Sequence, residues 1–543
     1  MVRATFSGFS TALSALQANQ KRLDITGQNL ANMNTVGYTR QQLETSSFNY
    51  TNPVSHYMNG SQVTVGYGVK MDKVSQIRDP YLDVQYREQI ADSSYNDALQ
   101  TALDNLSNIF DESNIKGIRQ AFDDIQSTLS NMQDPSKINN LIYESELQVR
   151  MKSLTNLLNE AARQLEAEEL AEFQHLDGTG TSEQGAIQKI NEILKQVGDL
   201  NIQIKRNQIH GQPSLELLDE RNILLDELAS YIPIEVSYYN EEKFEGWPDD
   251  LKVDMVYTKE DGTTDRLTLI DGTKGGSGKN YGEVTLDGDY DTIVNDPASV
   301  SLAFRAAQGE ATTEPTPVTS FNTSTADNNN DGIKDTITGK RFASGSVQAS
   351  LDMLGQSGTG GTGDTVRGYQ YYMNQLNTLA KTFADTMNNI NKTSYGITDA
   401  SDTSKDLLEG DSAKTIGLRD EWISGTVQIS RSGESTNETV LEMLAAMSDT
   451  YSALNDNSFT DYMNHVSTIL ANDSRINQST LETNVTILNG IQESRDSISA
   501  VSLDEEATNM MTYLSAYNAA SRLMTTLDEA LNTLINGTGL VGR

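Results

Sequence analysis

The residues that come closest to a chemical site form a short acidic loop at positions 327–335. Its first, third and fifth side chains are Asp, Asn and Asp, and Gly332 follows, which matches the start of a calcium-binding loop. The twelfth position is Thr338, however, where such loops place a bidentate glutamate. An Asn/Asp-rich turn explains the same letters. We therefore expect no cofactor, and Ca²⁺ at residues 327–335 is the one candidate that the sequence leaves.

Two other motifs resemble nucleotide sites but lack the sequence that should surround them. Residues 358–363 match GxGxxG, yet no strand–helix–strand pattern encloses them, and a Gly/Thr-rich linker gives the same letters. Lys279 follows a glycine as in a P-loop, but Asn280 replaces the Ser or Thr that would bind Mg²⁺. The four histidines have no metal-binding spacing, and no Gly-x-Ser-x-Gly elbow occurs. These absences predict that the protein is not an enzyme.

Composition excludes further classes of function. Acidic residues outnumber basic residues by 76 to 40, a formal net charge of −36, so nucleic acids and anionic membranes would repel the chain. The chain has no cysteine, which excludes disulfides and thiolate-ligated metals. No stretch approaches the roughly 18–20 apolar residues of a membrane span, and no cleaved signal peptide is recognisable. We expect neither a nucleic-acid nor a membrane partner.

The elements that could hold a functional surface lie at the two ends of the chain. At each end, apolar residues recur at intervals of three and four, which places them on one face of a helix that packs against another helix. The first stripe comprises Phe6, Phe9, Leu13, Leu16, Leu23 and Leu30. The second comprises Leu503, Ala507, Met510, Leu514, Tyr517, Met524 and Leu531. Gln20 and Gly27 interrupt the first stripe, and Ser521 and Asp528 interrupt the second, so each helix buries little by itself.

Between the two ends, helical patterns flank a segment of alternating residues with Gly/Asp/Asn turns, which is typical of antiparallel strands. The sequence therefore predicts a multidomain, mainly α protein. Residues 1–45 with 500–543 form a terminal coiled-coil core domain of paired N- and C-terminal helices. Residues 46–235 with 345–499 form a mainly helical outer domain. Residues 236–344 form a central β-rich insertion.

Three separated parts of the chain resemble the flagellar axial family of rod, hook and hook-associated proteins. Residues 29–41, NLANMNTVGYTRQ, resemble its N-terminal motif, and the Gly-Tyr-Thr-Arg ending is closer to hook-associated members than to the hook protein. Residues 218–228, LDERNILLDEL, resemble an internal helix of the hook-associated members. Residues 501–506, 517–522 and 534–537 resemble the closing helix of the hook-associated members. The resemblance covers both ends and one internal helix, and nothing in the β-rich segment belongs to it.

The resemblance implies a structural protein of the bacterial flagellum that joins the hook to the filament as a ring of subunits. It also implies an extracellular location reached by type III export without a cleaved signal. The implied partners are further copies of the chain, the hook protein, the next hook-associated junction protein and an export chaperone. The alternatives are the hook protein itself, which would polymerise into a tube, and, from another class, a surface hydrolase carried in the insertion.

The predicted functional site is an assembly interface made by the terminal helices and the turn after the first one. Residues 34–40 are the expected hinge into the outer domain, with Gly37 at the turn. Asn29 and Asn32 are expected to cap and to make polar contacts, and Arg40 to bind a carboxylate of a neighbour or, equally, of its own subunit. The interface comprises Phe6, Phe9, Leu13, Leu16, Leu23, Asn29, Leu30, Asn32, Gly37, Tyr38, Arg40, Leu503, Met510, Leu514, Tyr517, Met524 and Leu531.

Overall fold

The structure is a computed structural model that describes most of the chain. The described residues are 2–48, 68–110, 112–134, 141–178, 184–210, 214–239, 250–259, 261–272, 280–287, 301–308, 314–321, 324–326, 336–337, 339–355, 366–399, 401–431 and 437–538. Within these ranges helices predominate, which confirms the prediction of a mainly α protein. None of the described helices is long and apolar enough to cross a membrane.

Long helices carry most of the described chain. In chain order the helices are α1 (Val2–Ala31), α2 (Pro80–Ile109), α3 (Glu112–Asn131), α4 (Leu141–Asp177), α5 (Ala186–Ile209), α6 (Leu215–Tyr231), α7 (Ser346–Gly355), α8 (Tyr369–Ser394), α9 (Asp420–Ile423), α10 (Glu438–Ser448), α11 (Phe459–Ser499) and α12 (Leu503–Thr538). Local chemistry sets where two of the longest begin. Asp79 accepts a hydrogen bond from the Tyr81 amide, 2.9 Å long, with Pro80 in the first turn of α2, and Ser458 caps α11.

The strands form small antiparallel sheets. They are β1 (Gln41–Ser47), β2 (Val69–Gln76), β3 (Ile234–Tyr239), β4 (Asp250–Thr258), β5 (Thr264–Asp271), β6 (Glu283–Asp287), β7 (Ser301–Arg305), β8 (Ser324–Ala326), β9 (Thr336–Ile337), β10 (Leu408–Glu409) and β11 (Gly417–Leu418). β1 and β2 form a hairpin, β3, β4 and β5 form a three-stranded sheet in that order, and β6–β7, β8–β9 and β10–β11 pair as ribbons. The sheets are too small to bury a core alone, so each needs helices beside it.

The larger hydrophobic core lies among α2, α3, α4, α8, α10 and the first half of α11. At its centre the rings of Phe122, Phe383 and Phe459 contact one another, with centroids 5.4–5.7 Å apart. All three rings are fully buried. Fully burying each aromatic side chain contributes about 1.5–3 kcal/mol, so this cluster fixes α3, α8 and α11 to one another.

The second core joins strands to helices. Val253 on β4, Leu269 on β5 and Phe304 on β7 are fully buried in the same cluster as Ile190 on α5 and Leu225 on α6. Residues on both sides of the domain boundary predicted between 235 and 236 therefore contribute to one hydrophobic core. The physical reason is that the described strands form small sheets, whose apolar faces are covered by α5 and α6.

A pair of long antiparallel helices connects this body to the chain termini. Asn477 of α11 donates to the Asn96 carbonyl of α2 at 2.9 Å, and Gln89 of α2 donates to the Asn484 carbonyl of α11 at 3.4 Å. Residue numbers rise along one helix as they fall along the other. α11 therefore ends beside the start of α2, and the chain enters α12 close to the point where it left the terminal hairpin.

Candidate assembly surface

The first and last helices pair with each other in antiparallel orientation. A Cβ on Gly8 would lie 3.3 Å from Cδ1 of Leu527, near the outer ends of α1 and α12. Further along, the Arg22 guanidinium lies over the Tyr513 ring, 5.5 Å from its centroid. Gly8 and Arg22 thus mark the side of α1 that faces α12. α1 and α12 therefore pack against each other.

The β1–β2 hairpin covers a second side of α1. The Val69 amide donates to Oγ of Ser14 at 3.2 Å, and Arg22 donates to Oγ1 of Thr45 at 2.9 Å. Asn29 is buried and exchanges two 3.0 Å hydrogen bonds with the backbone of Gln41, where β1 begins. The terminal helices and the hairpin therefore form one unit.

Only part of each predicted stripe lies in the seam between the paired helices. Leu13 is 48% exposed, Leu514 is 50% exposed and Leu503 is 51% exposed. The other stripe residues whose side chains the structure describes are half-buried: Phe9, Leu16, Leu23, Leu30, Met510, Tyr517, Met524 and Leu531. The Phe6 side chain lies outside the described residues. The buried positions are instead mostly small or polar, and they are Ala12, Ala18, Asn19, Ile25, Thr26, Asn29, Glu506 and Ala520. Small side chains allow the elements around them to approach closely, which explains why the contacting faces are not the most apolar ones.

Helix geometry places both stripes on the same side of the pair. At 3.6 residues per turn, the α1 stripe lies about a quarter turn from Gly8 and Arg22, which face α12. It lies about half a turn from Ser14, which faces the hairpin. The α12 stripe lies on average about a fifth of a turn from Tyr513 and Leu527, which face α1, and Leu514 lies farthest from them. Because both helices are right-handed and they run antiparallel, both rotations lead to the same side, away from the hairpin.

We name this side the two-stripe surface. It consists of Phe9, Leu13, Leu16, Leu23, Leu30, Leu503, Met510, Leu514, Tyr517, Met524 and Leu531. Its apolar residues follow the spacing of a helix-packing seam, and the monomer leaves them partly open to solvent. A contiguous exposed apolar surface of this kind is typical of an interaction site.

The turn after α1 depends on residues of the predicted interface. Gly37 has a φ of +77°, and a Cβ there would lie 2.7 Å from Cγ1 of Ile223 on α6, so both backbone and space require glycine. The Tyr38 hydroxyl donates to Oδ1 of Asn29 at 2.9 Å. Burial, followed by the negative charge of Asp219, raises the pKa of Tyr38 to about 12, so the hydroxyl keeps its proton. Asn32 donates to the Gln28 carbonyl at 3.0 Å and closes the last turn of α1.

Arg40 pairs within its own chain. Its guanidinium forms an ion pair with Glu505 in the first turn of α12, and its amide donates to the Ser499 carbonyl at 2.9 Å. Of the two partners expected for Arg40, the structure shows the intramolecular one. The contact ties the end of the α1 turn to the start of α12.

Sequence reasoning missed a buried polar cluster on α6. Asp219, read from the sequence as part of an ordinary amphipathic helix, accepts hydrogen bonds from the Thr39 amide at 3.1 Å, from Oγ1 of Thr39 at 2.6 Å and from Gln76 at 2.8 Å. Burial raises the pKa of Asp219, although these hydrogen bonds oppose the shift. The signal that could have revealed it is the seven-residue spacing of Asp219 and Asp226, which places these two acids on one face of α6.

A network of ion pairs continues from this cluster. Arg78 pairs with Asp83 at 2.9 Å, and Arg495 of α11 pairs with Asp83 at 2.9 Å and with Asp226 at 2.6 Å. Arg87 of α2 pairs with Asp226 at 2.8 Å. Burial would raise the pKa of Asp83, but the hydrogen bonds and charge of Arg78, with the charge of Arg495, outweigh it and lower the pKa below its ordinary value.

The described residues hold no group of three or more His, Asp or Glu side chains that could bind a metal ion. The candidate calcium loop at 327–335 and the GxGxxG motif at 358–363 lie outside the described residues.

Family models match three parts of the chain. Residues 9–39 match the model described as flagella basal body rod protein, and residues 492–537 match the C-terminal model of flagellar basal body rod FlgEFG protein. Residues 103–245 match the helical domain of flagellar hook-associated protein FlgK. The first and last matches fall on α1 with its turn, and on the end of α11 with α12.

Individual relatives show the same similarity. The chain is 26% identical over 566 aligned positions to flagellar hook-associated protein 1 of Bacillus subtilis (strain 168), which covers 99% of this chain and 100% of that protein. It is 28% identical to flagellar hook-associated protein 1 of Escherichia coli (strain K12) over 42% of this chain and 39% of that protein. A solved structure, the flagellar hook junction protein FlgK of Burkholderia pseudomallei, matches with a TM-score of 0.36 at 16% identity, over 57% of this chain and 43% of that chain.

Proposed function

We propose, from the premise that this chain belongs to the flagellar hook-associated protein 1 family, that it is the structural protein joining the hook to the filament of a bacterial flagellum. One observation carries the proposal. The two terminal segments that match the rod-protein models are also the segments that pair as α1 and α12 and leave the two-stripe surface open. The premise rests on the relative that matches along its whole length. The protein acts through this surface, and we propose no enzymatic activity for it.

The two-stripe surface supports assembly energetically. Fully burying a leucine or phenylalanine contributes about 1.5–3 kcal/mol, and residues such as Leu13 and Leu514 are only half-buried in the monomer. About half of that free energy is therefore still available at Leu13, Leu503 and Leu514 when a neighbour covers the stripe, and a smaller share at the other eight positions. A single position gives too little for stable binding, so the proposal needs the contributions of both stripes together.

The partners follow from this role. Copies of the chain form a ring, with the hook protein on one side and the next hook-associated junction protein on the other. A flagellar export chaperone protects the apolar stripe of the C-terminal helix before assembly. The protein reaches the cell exterior by type III export without a cleaved signal peptide. We propose that no cofactor takes part, and calorimetry that detects Ca²⁺ binding at millimolar concentration would contradict this.

Electron microscopy of purified protein and of isolated hooks tests the proposal. We expect the protein to remain monomeric alone and to form a cap on isolated hooks. On intact flagella, we expect immunogold labelling of the protein at the hook–filament junction. Self-assembly of purified protein into long tubes would instead assign the chain to the hook protein. Enzymatic turnover that is lost on a point substitution within residues 236–344, with assembly intact, would support the hydrolase alternative.

A further inference from the structure

Four segments within or next to the terminal unit meet on one helix, α6. They are the exit from α1 at Thr39, the exit from the hairpin at Gln76 and Arg78, the first turns of α2 and the end of α11. These segments are far apart in sequence: Thr39 and Asp219 are separated by 180 positions, and Asp226 and Arg495 by 269. A local structural preference therefore cannot explain their meeting.

The first half of α6 holds the turn between α1 and the hairpin and the segment that leaves the hairpin. Asp219 is 6% exposed, and both of its carboxylate oxygens accept hydrogen bonds from Thr39. One oxygen also accepts a bond from Gln76, which donates in addition to the carbonyl of Leu215 at 2.8 Å. Arg78 lies 3.9 Å from the same carboxylate. A single side chain thus contacts the turn between α1 and the hairpin and the segment that leads from the hairpin to the body.

The second half of α6 holds the returning helix. Asp226 lies between Arg87 of α2 and Arg495 of α11, and Arg495 also binds Asp83. Arg495 packs over the Tyr86 ring as well, 4.6 Å from its centroid. Arg87 donates to Asn222 at 3.3 Å, one turn before Asp226. The end of α11 is therefore fixed just before the chain enters α12.

Charge is balanced within this cluster. It contains three arginines and three aspartates, and each of their side chains is at most 16% exposed. Removing one member of a buried ion pair leaves the partner charge without compensation, so such clusters are sensitive to single substitutions. The directional hydrogen bonds also fix geometry, which an apolar contact would not.

We propose that α6 is a clasp that fixes the position of the two-stripe surface relative to the body of the protein. Asp219 and Asp226 are its positioning residues, and Thr39, Gln76, Arg78, Arg87 and Arg495 are the groups that it holds. The consequence of the clasp for hook binding rests on the proposed function. The clasp itself does not, because it is a property of the free monomer.

Hydrogen exchange on the full-length monomer tests the clasp directly. The Thr39 amide donates to Asp219, the Arg40 amide to the Ser499 carbonyl and the Ile77 amide to the Arg40 carbonyl, so peptides covering residues 36–43 and 74–80 report its closure. In Asp219→Ala we expect exchange in both peptides to become at least tenfold faster. The matched control is Glu220→Ala, since Glu220 is the adjacent, exposed acid on the same helix. The control should exchange as the wild type does.

Thr39→Val keeps the test decisive if Asp219→Ala loosens the whole body. The substitution is close to isosteric; it removes the hydroxyl that donates to Asp219 and accepts a 3.4 Å bond from Arg78, and it keeps the Thr39 amide that donates to Asp219. We expect several-fold faster exchange confined to the two reporter peptides, with the peptide around Phe122 unchanged. Thr39→Val combined with Asp219→Ala should exchange no faster than Asp219→Ala alone, because both remove one interaction. Unchanged exchange in both single variants would overturn the proposal.

Capping of isolated hooks separates this inference from the proposed function. If both hold, Asp219→Ala should lower the fraction of capped hooks although the two-stripe residues are unchanged. If the variants open the reporter peptides but wild-type protein never caps hooks, the clasp stands and the proposed function fails. If Asp219→Ala opens the reporter peptides yet caps hooks as wild type does, the clasp does not position the assembly surface, and the inference fails on that point.

Discussion

The substitution Leu514→Asp tests whether the two-stripe surface is buried on assembly. Leu514 is 50% exposed in the monomer. Full burial of leucine is worth about 1.5–3 kcal/mol, so losing the half that is buried costs the monomer about 1 kcal/mol. The protein should therefore remain folded and soluble, and its circular dichroism spectrum should be unchanged.

The assembled state should respond much more strongly. A neighbour covering the stripe would lose the remaining half of the leucine contribution, about 1 kcal/mol, and would have to desolvate a carboxylate at a cost of several kcal/mol. Each ~1.4 kcal/mol changes a binding constant tenfold, so a combined loss of about 4 kcal/mol weakens the affinity of each contact by nearly a thousandfold. We expect Leu514→Asp to abolish capping of isolated hooks, counted by electron microscopy, and to block filament growth in cells.

A matched control lies on the same helix. Leu523 is 47% exposed, and its position nine residues after Leu514 places it about two and a half turns along α12, on the opposite face. Leu523→Asp introduces the same charge at the same exposure but off the two-stripe surface, and it should cap hooks. If Leu514→Asp caps hooks as the wild type does, or if both variants fail alike, the assignment of the assembly face is wrong.

Further predictions concern the terminal unit and the body. Gly37→Ala should lower the thermal stability of the terminal unit, because a Cβ there clashes with Ile223 and the positive φ disfavours alanine. Adding Ile223→Ala should remove the clash but leave a loss of about 1–2 kcal/mol from the positive φ. Full recovery of stability in the double variant would show that the positive φ costs nothing. Asn29→Ala should weaken docking of the hairpin by about 2–3 kcal/mol, because the buried backbone N–H and C=O of Gln41 lose their hydrogen-bond partner. Faster hydrogen exchange of the Gln41 amide measures this loss, and an unchanged exchange rate would refute the prediction. Burial raises the pKa of Glu169 from 4.5 to about 7, so the folded carboxyl holds its proton more tightly than the unfolded one, and stability is lost as pH rises between those values. Glu169→Gln should therefore raise the free energy of unfolding by about 2 kcal/mol more at pH 8 than at pH 5.5 in urea titrations, and an equal gain at both pH values would count against it.

The sequence reveals the local features of the terminal unit but not its contacts. The spacing of Leu13 and Leu514 correctly identifies two helices with apolar stripes, because a 3.6-residue period determines which residues share a face. It does not determine what covers that face, and Leu13 and Leu514 remain open to solvent when the helices pair. Gly37 could be predicted at the turn because the need for positive φ is local to that residue.

The clasp illustrates why the rest could not be predicted. Asp219 and Asp226 look like solvated acids on an amphipathic helix until Thr39 and Arg495 are brought beside them from distant parts of the chain. Alternation in residues such as Val253 likewise predicts a strand, but the helices that cover it follow from tertiary packing alone. Whether a polar side chain is buried depends on the whole fold, so the residues next to it in sequence do not predict it.

The antiparallel packing of α2 and α11 has a consequence for how the ends of the chain find each other. Arg40 and Glu505 are separated by 465 positions, and closing so long a flexible loop carries an entropic cost that grows with its length. Once α2 and α11 have packed, the exit of the hairpin and the start of α12 lie side by side. The entropy of closing the long loop has then already been lost in folding of the body, so pairing of the terminal helices does not lose it again. The terminal helices then behave as if joined by a short connection, at high effective concentration. Weakening the contact between Asn96 and Asn477, far from either terminus, should therefore loosen the pairing of α1 with α12.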